Sequence, residues 1–270
     1  MRTVAIIQAR MGSTRLPGKV LLPLAGKPML WHVVERVRHA SLIDDVVVAT
    51  STEPGDDAIR EFGAEHGIEV FSGSESDVLD RYYRAAWEYS AEAVVRVTGD
   101  CPLVDPNVAD AVVDAYAEGG FDHVGATSGS GARAMGSNGF PEGAGASCFG
   151  ADALRSVWLE ATTESDREHV ETFMVLNPDR FSLMFLVPHR DLSEHRWTVD
   201  RAEDLGFVRA VYDALFVPGK VISGKDVLAY LDDHPEVMNM NRAMLGHEKY
   251  KPLWDELDSR GTATRVVDVL

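Results

Sequence analysis

Arg10, Arg15 and Lys19 stand in one short stretch, Gln8-Ala9-Arg10-Met11-Gly12-Ser13-Thr14-Arg15-Leu16-Pro17-Gly18-Lys19, directly after the apolar run Val4–Ile7. Gly12 and Gly18 let a backbone turn sharply and bring its N–H groups close to anionic oxygens. Two rigid guanidinium forks and one point-charge ammonium can then neutralise a polyphosphate from several sides. Residues 1–34 hold Arg2, Arg10, Arg15, Lys19 and Lys27 and no carboxylate, while the whole chain sums to −17, so these cations lie in a locally reversed field. Neither the Gly-Lys-Ser/Thr of a P-loop nor a G-x-G-x-x-G is present, and the stretch must be judged on its own pattern. A solvated surface loop is the competing reading, since Arg and Lys are mostly exposed in any protein.

The elements that must position this loop alternate. Val4–Ile7 reads as a buried strand, and Pro28 opens a helix whose apolar face is Leu30, Val33, Val34 and Val37. Strand 45–50, helix 55–66, strand 68–71, helix 76–89 and strand 93–97 follow, the last ending at Thr98-Gly99-Asp100. Asp105 and Pro106 then start a helix facing inward with Val108, Val112, Val113 and Tyr116. This is the pattern of a parallel sheet covered by helices, and ligands of such sheets bind beyond the carboxyl ends of the strands. Residues 125–150 hold Gly125, Gly129, Gly131, Gly136, Gly139, Gly143, Gly145 and Gly150, which breaks the periodicity and suits a binding loop or lid. A helical run over 164–176 and strands at 181–187 and 195–199 are predicted next, and from Pro235 onward the chain is a polar tail.

Composition narrows the function. Cys101 and Cys148 are the two cysteines and form no C-x-x-C pair, which argues against a disulfide scaffold or zinc site. The acidic balance argues against a nucleic-acid backbone and against an anionic membrane face as partners. The apolar start is too short for a secretory or membrane-spanning segment, so a cytoplasmic location is expected. Nine histidines without metal spacing and no G-x-S-x-G elbow leave the nucleophile to the substrate, as a hydroxyl.

The loop Ala9-Arg10-x-x-Ser13-Thr14-Arg15-Leu16-Pro17-Gly18-Lys19, with Gly26-Lys27-Pro28-Met29-Leu30 after it, resembles that of the 3-deoxy-manno-octulosonate and N-acylneuraminate cytidylyltransferases, nearest to their SpsF-like spore-coat branch. Arg96–Pro106, Ser165-Asp166-Arg167-Glu168-His169-Val170 and Arg196-Trp197-Thr198-Val199-Asp200-Arg201-Ala202-Glu203-Asp204-Leu205 extend the likeness over residues 1–230. The resemblance implies a three-layer α/β/α sandwich with a mostly parallel sheet and a small dimerisation arm. It implies a domain over 1–233, with arm and acceptor-binding insertion at 125–195, a C-terminal extension over 234–270, and a homodimer. The implied reaction is Mg2+-dependent transfer of CMP from CTP to a sugar acid or related hydroxylated acceptor, with release of pyrophosphate.

By that resemblance Arg10 and Lys19 bind and offset the triphosphate, helped by Ala9, Gly12, Ser13, Arg15 and Gly99, while Thr50, Ser51 and Ser74 lie near the base. Asp100 and Asp200, each at the end of an apolar strand, are the candidate metal ligands that the resemblance implies. Magnesium takes one or two carboxylates plus phosphate oxygens and water. Asp200 with Glu203 also reads as a helix capping box, and Asp100 as a turn stabiliser before Pro102. Arg133, Glu142, Arg167 and His169 are the acceptor candidates. There the likeness thins, because SpsF-like chains tend to carry Gly-Leu-Asp-x-Glu after a Phe-Pro or Tyr-Pro pair, whereas Phe140-Pro141 is followed here by Glu142-Gly143-Ala144-Gly145-Ala146-Ser147-Cys148-Phe149, with small residues at the two acidic positions. A glycosyltransferase using a nucleotide-sugar is an alternative, although it lacks here the usual Asp-x-Asp pair. A silent nucleotide-binding protein is another.

Overall fold

Strands covered on both faces have no solvent side to alternate toward, so they read as unbroken apolar runs. The computed structural model describes residues 1–126, 138–245 and 262–270. β1 (Thr3–Gln8) ends at the basic loop, and a 3-10 turn at Lys19–Leu21 leads to a hairpin of β2 (Pro23–Leu24) and β3 (Lys27–Pro28). α1 (Met29–Arg38), β4 (Asp45–Ser51), α2 (Asp57–His66), β5 (Glu69–Gly73), α3 (Val78–Glu88), β6 (Ala93–Thr98) and α4 (Pro106–Ala117) then alternate. Pro28 stands at the cap of α1, and the Asp105 carboxylate caps α4 by accepting the Asn107 N–H at 2.8 Å. Both helix starts lie where their capping chemistry predicts.

The second half is less regular. β7 (His123–Gly125), β8 (Ser147–Gly150), α5 (Ala151–Glu160), α6 (Glu164–His169), α7 (Thr172–Leu176) and β9 (Leu183–Pro188) precede α8 (Ala202–Leu215), α9 (Gly224–Asp233), α10 (Pro235–Met238) and β10 (Ala263–Val267). The sheet order is β10-β9-β7-β8-β6-β1-β4-β5. β8 runs antiparallel to both of its neighbours, β6 and β7, and the other pairings in this sheet are parallel. The mostly parallel sheet is therefore as expected.

Alternation along β1 divides the core. Ala5 and Ile7 pack with Val33 of α1, Ile59 of α2 and Val112 of α4. Val4 and Ile6 pack on the opposite face with Leu79 of α3, Leu154 of α5 and Met174 of α7. A third cluster gathers Leu24, Met29, Trp197, Phe207 and Leu228, seating α8 and α9 against the hairpin. The three-layer sandwich is what these two covered faces amount to.

Three expectations need correction. The helical run over 164–176 is two helices, broken at Val170, whose φ of 59° lies where a β-branched residue is strained. Residues 195–199 form no strand: the segment crosses the ends of the strands, with Glu142–Arg196 as an isolated bridge, and the Val199 N–H donates to the Asp100 carbonyl at 2.8 Å. The glycine-rich stretch begins and ends in sheet strands, β7 and β8, which the glycines concealed. As for residues 234–270, the described parts pack on the sheet and its helices, with β10 pairing in parallel with β9.

Candidate active site

β1 and β6 are parallel neighbours, with Gln8 opposite Thr98, so the loops that leave them open on one edge. Gly99 is needed at that junction. A Cβ there would lie 3.0 Å from the Ala9 Cβ and from the Gln8 carbonyl, which itself accepts the Gly99 N–H at 2.8 Å. Farther along the loop, Met11 holds it shut: its carbonyl accepts the Ser13 N–H at 2.9 Å and the Gly18 N–H at 3.0 Å, with Gly18 at a φ of 68°. The Met11 N–H in turn donates to Asp56 at 2.7 Å. No heavy atom would stand within 4 Å of a Cβ on Gly12, so that side of the loop is open.

Lys19 is the centre of the site. Its Nζ donates to Asp100 Oδ2 at 2.5 Å, to the Val199 carbonyl at 2.8 Å and to Asp200 Oδ1 at 2.9 Å. Arg15 Nη2 reaches the same Asp200 oxygen at 2.8 Å. Loop, β6 end and crossing segment therefore converge on one point, although the two aspartates are far apart in sequence. Burial works to lower the Lys19 pKa, but Asp100 and Asp200 outweigh it and hold the ammonium above its ordinary range. Burial likewise pushes Asp200 up, and Lys19, Arg15 and Arg196 reverse this and hold its carboxyl below the usual range. Arg10 is half-exposed, 3.8 Å from Glu168 at the end of α6. Thus the three loop cations line one mouth, two of them already on Asp200.

Cys101, beside Asp100, is buried, and burial with the neighbouring carboxylate pushes its thiol up to about 12. Its Sγ lies 3.6 Å from Thr198 Oγ1 and 3.7 Å from Asp100 Oδ1.

The model of the family described as "Cytidylyltransferase" matches residues 4–175. The chain belongs to the cytidylyltransferase family. It is similar to the spore coat polysaccharide biosynthesis protein SpsF of Bacillus subtilis, 31% identical over 88% of this chain and 97% of that one. A 3-deoxy-manno-octulosonate cytidylyltransferase of Geobacter sulfurreducens is 42% identical over 44% of this chain and 46% of its own. Among solved structures, a cytidylyltransferase from Leptospira borgpetersenii superposes with a TM-score of 0.80 at 30% identity, covering 88% of this chain and 97% of that chain. The likeness to SpsF-like proteins is thereby shown, and this cytidylyltransferase is a nucleotidyltransferase enzyme.

Several residues expected to touch substrate have other duties in this cytidylyltransferase. Ser51 is buried at the end of β4, and its N–H and Oγ donate to Asp56 Oδ2 at 3.1 and 2.5 Å. It positions the loop through Asp56. Thr50 is fully buried beside it. Ser74 accepts the Asp77 N–H at its Oγ and the buried Arg81 guanidinium at its carbonyl, at 3.1 and 2.7 Å, which fixes the turn ahead of α3. Arg167 clamps Asp77, its Nη2 at 2.5 Å from Oδ2, and donates to the Trp158 carbonyl at 2.9 Å, so its fork is spent on joining α6 to α3 and α5. His169 is exposed at the end of α6, next to the Arg10 partner Glu168. Arg133 lies outside the described residues.

Glu142 does reach the site, from below. Its Oε2 is 2.7 Å from Arg196 Nη1, out of line for a hydrogen bond, and burial holds its pKa above the ordinary range. Arg196 also engages Asp200 and Asp204, and Asp204 caps α8 by accepting the N–H groups of Asp200 and Arg201, each at 3.0 Å. The expected capping box of Asp200 with Glu203 is thus replaced by Asp204, leaving the Asp200 side chain for the site. Asp56, Arg196, Asp204 and Asn241 went unnoticed in the sequence. Arg196 and Asp204 sit in the motif that carried the resemblance, whereas Asp56 and Asn241 show no local signal.

Proposed function

We propose that this cytidylyltransferase transfers CMP from CTP to a hydroxyl of a sugar acid or closely related acceptor, releasing pyrophosphate, with Mg2+ as its metal. The observation that carries this reading is Lys19 Nζ set between Asp100 Oδ2 and Asp200 Oδ1 at the mouth of the basic loop. Two carboxylate oxygens already converge on one cation position, and hard oxygen donors in that number suit magnesium. Asp100 and Asp200 would hold the ion. When bound, it would polarise the α-phosphate and offset charge on the leaving pyrophosphate.

The chain's own residues supply the rest. Arg10 and Arg15 keep guanidinium groups half-exposed at the loop mouth, where a triphosphate exchanges for the weak surface contact of Arg10 with Glu168 and meets Arg15 beside Asp200. Lys19 is carried on the 3-10 turn and lies within reach of both the phosphates and the aspartates. Positioning and charge stabilisation, rather than a protein nucleophile, then lower the barrier. Ala9, Gly12, Ser13 and Gly99 give the backbone edge along which the nucleotide lies, with the base read by backbone groups near Thr50, Ser51 and Ser74, whose side chains shape that end of the site. Glu142, His169 and Arg133 are retained as acceptor-side candidates.

The relatives, a spore coat polysaccharide biosynthesis protein and a 3-deoxy-manno-octulosonate cytidylyltransferase, support a sugar-acid acceptor. Among the described residues no helix is long and apolar enough to cross a membrane, which agrees with a cytoplasmic enzyme. A homodimer built through the 125–195 region, with residues 1–233 as the catalytic unit, completes the proposal, and sedimentation equilibrium giving a single-chain mass would remove the dimer from it. CTP, UTP, ATP and GTP should be incubated with a panel of sugar acids and Mg2+ while pyrophosphate is followed. Release with CTP and a sugar acid is the expected result; release with another nucleotide alone would refute the CTP assignment.

A further inference from the structure

Arg196 and Asn241 form a buried network behind Asp200. The Arg196 side chain is 5% exposed, and its guanidinium meets three carboxylates: Nη1 faces Glu142 Oε2 at 2.7 Å, Nη2 donates to Asp200 Oδ2 at 2.8 Å, and Nε donates to Asp204 Oδ1 at 2.9 Å. Asp200 Oδ2 is thereby occupied, and Oδ1 is the oxygen turned toward Lys19 and Arg15. Asn241, 2% exposed, uses one Nδ2 group to donate to the Arg196 carbonyl at 2.9 Å and to Asp204 Oδ1 at 3.0 Å. Both partners are pure acceptors, so the amide can present only its NH2.

We infer that Arg196 and Asn241 are positioning residues of the metal site: Arg196 fixes which oxygen of Asp200 faces the cation, and Asn241, from the segment after α10, latches Arg196 and Asp204 in place. The inference rests on the proposed metal role of Asp200. Its chemistry is that of an outer shell, where a carboxylate ligand is held in one rotamer by charge-assisted hydrogen bonds and loses affinity when freed. On this account the catalytic unit extends past residue 233 to take in Asn241, which touches no substrate.

The test uses Mn2+ as a paramagnetic probe, titrated by electron paramagnetic resonance into the full chain saturated with CTP, without acceptor. Asn241→Ala is expected to weaken Mn2+ about tenfold, with metal-free CTP affinity by calorimetry within about twofold of the wild type. Arg196→Lys keeps the charge but not the fork, and gives a second variant with the same expected pattern should Asn241→Ala fail to fold. A double-mutant cycle separates positioning from general loosening: in an Asp200→Asn background, Asn241→Ala should cost nothing further. A penalty that persists in that background, or unchanged Mn2+ affinity in both single variants, overturns the inference. If Asp200→Asn alone leaves Mn2+ binding intact, the metal reading of Asp200 falls first and takes this inference with it.

Discussion

At the residue scale, the decisive feature is one ammonium shared by two carboxylates in a largely desolvated place. The Lys19 side chain is 10% exposed and those of Asp100 and Asp200 are 23% and 17%, so their attraction is weakened less by water and salt than that of a surface pair. Hydrogen bonds to charged groups are worth roughly 1.5–3 kcal/mol. Lys19→Ala should therefore weaken CTP about tenfold or more, measured by calorimetry, while acceptor affinity changes far less. Equal CTP affinity in the variant would defeat the loop assignment. The same substitution leaves Asp100 and Asp200 facing one another without the cation between them, so a lower melting temperature in nucleotide-free buffer is expected alongside.

At the scale of elements, the break between α6 and α7 has its reason in the carboxylate it delivers to the sheet. Val170 accepts a strained φ and is fully buried, and Glu171 then turns under the sheet to meet Arg96 of β6 at 3.2 Å, His123 of β7 at 3.2 Å, and the Ser147 hydroxyl of β8. One carboxylate thus ties a helix to three strands. Burial opposes its ionisation, but Arg96, His123 and Ser147 outweigh that and hold Glu171 at about 2 against an ordinary 4.5. A depressed carboxylate stabilises the fold fully above its unfolded value, and that stabilisation fades as pH falls from 4.5 toward about 2. The difference is on the order of 3 kcal/mol. Glu171→Gln should lose stability of that order at pH 7 and show a flatter acid limb in urea unfolding across this window. Parallel acid limbs in variant and wild type would dismiss the linkage.

At the scale of the whole molecule, the two ends of the sheet are finished differently. β5 closes one edge, while β10 closes the other and returns the carboxyl terminus to α9, where Leu270 packs against Gly224. Gly224 N–H donates to Asp105 Oδ2 at 2.7 Å, so this contact also meets the cap of α4. Removing residues 262–270 would uncover β9 and the Leu270 site. Partial burial of Val267, Val269 and Leu270 suggests a loss of about 2 kcal/mol, read as a fall of about 4–8 °C in melting temperature. A truncated chain that melts with the full one would show the last strand to be dispensable.

What the chain determined unaided was whatever depends on neighbours in sequence. The apolar runs of β1, β4 and β6, the caps at Pro28 and Asp105, and the small-residue, carboxylate-free loop through Arg10, Arg15 and Lys19 are local statements, because turn sterics, capping and charge density act over a few residues. From them the parallel half of the sheet and the mouth of the site were legible, and so was Asp100 as a strand-end carboxylate, whereas Asp200, expected at the end of a strand, is delivered by a segment that forms none. Tertiary structure alone decided what depends on partners distant in sequence. Glycines hid β7 and β8, whose pairing comes from the strands beside them; Arg167 went to Asp77 and Ser51 to Asp56; Arg196, Asp204 and Asn241 joined beneath Asp200. A buried polar group must find its partner wherever the fold brings one, and no local pattern announces which residue that will be.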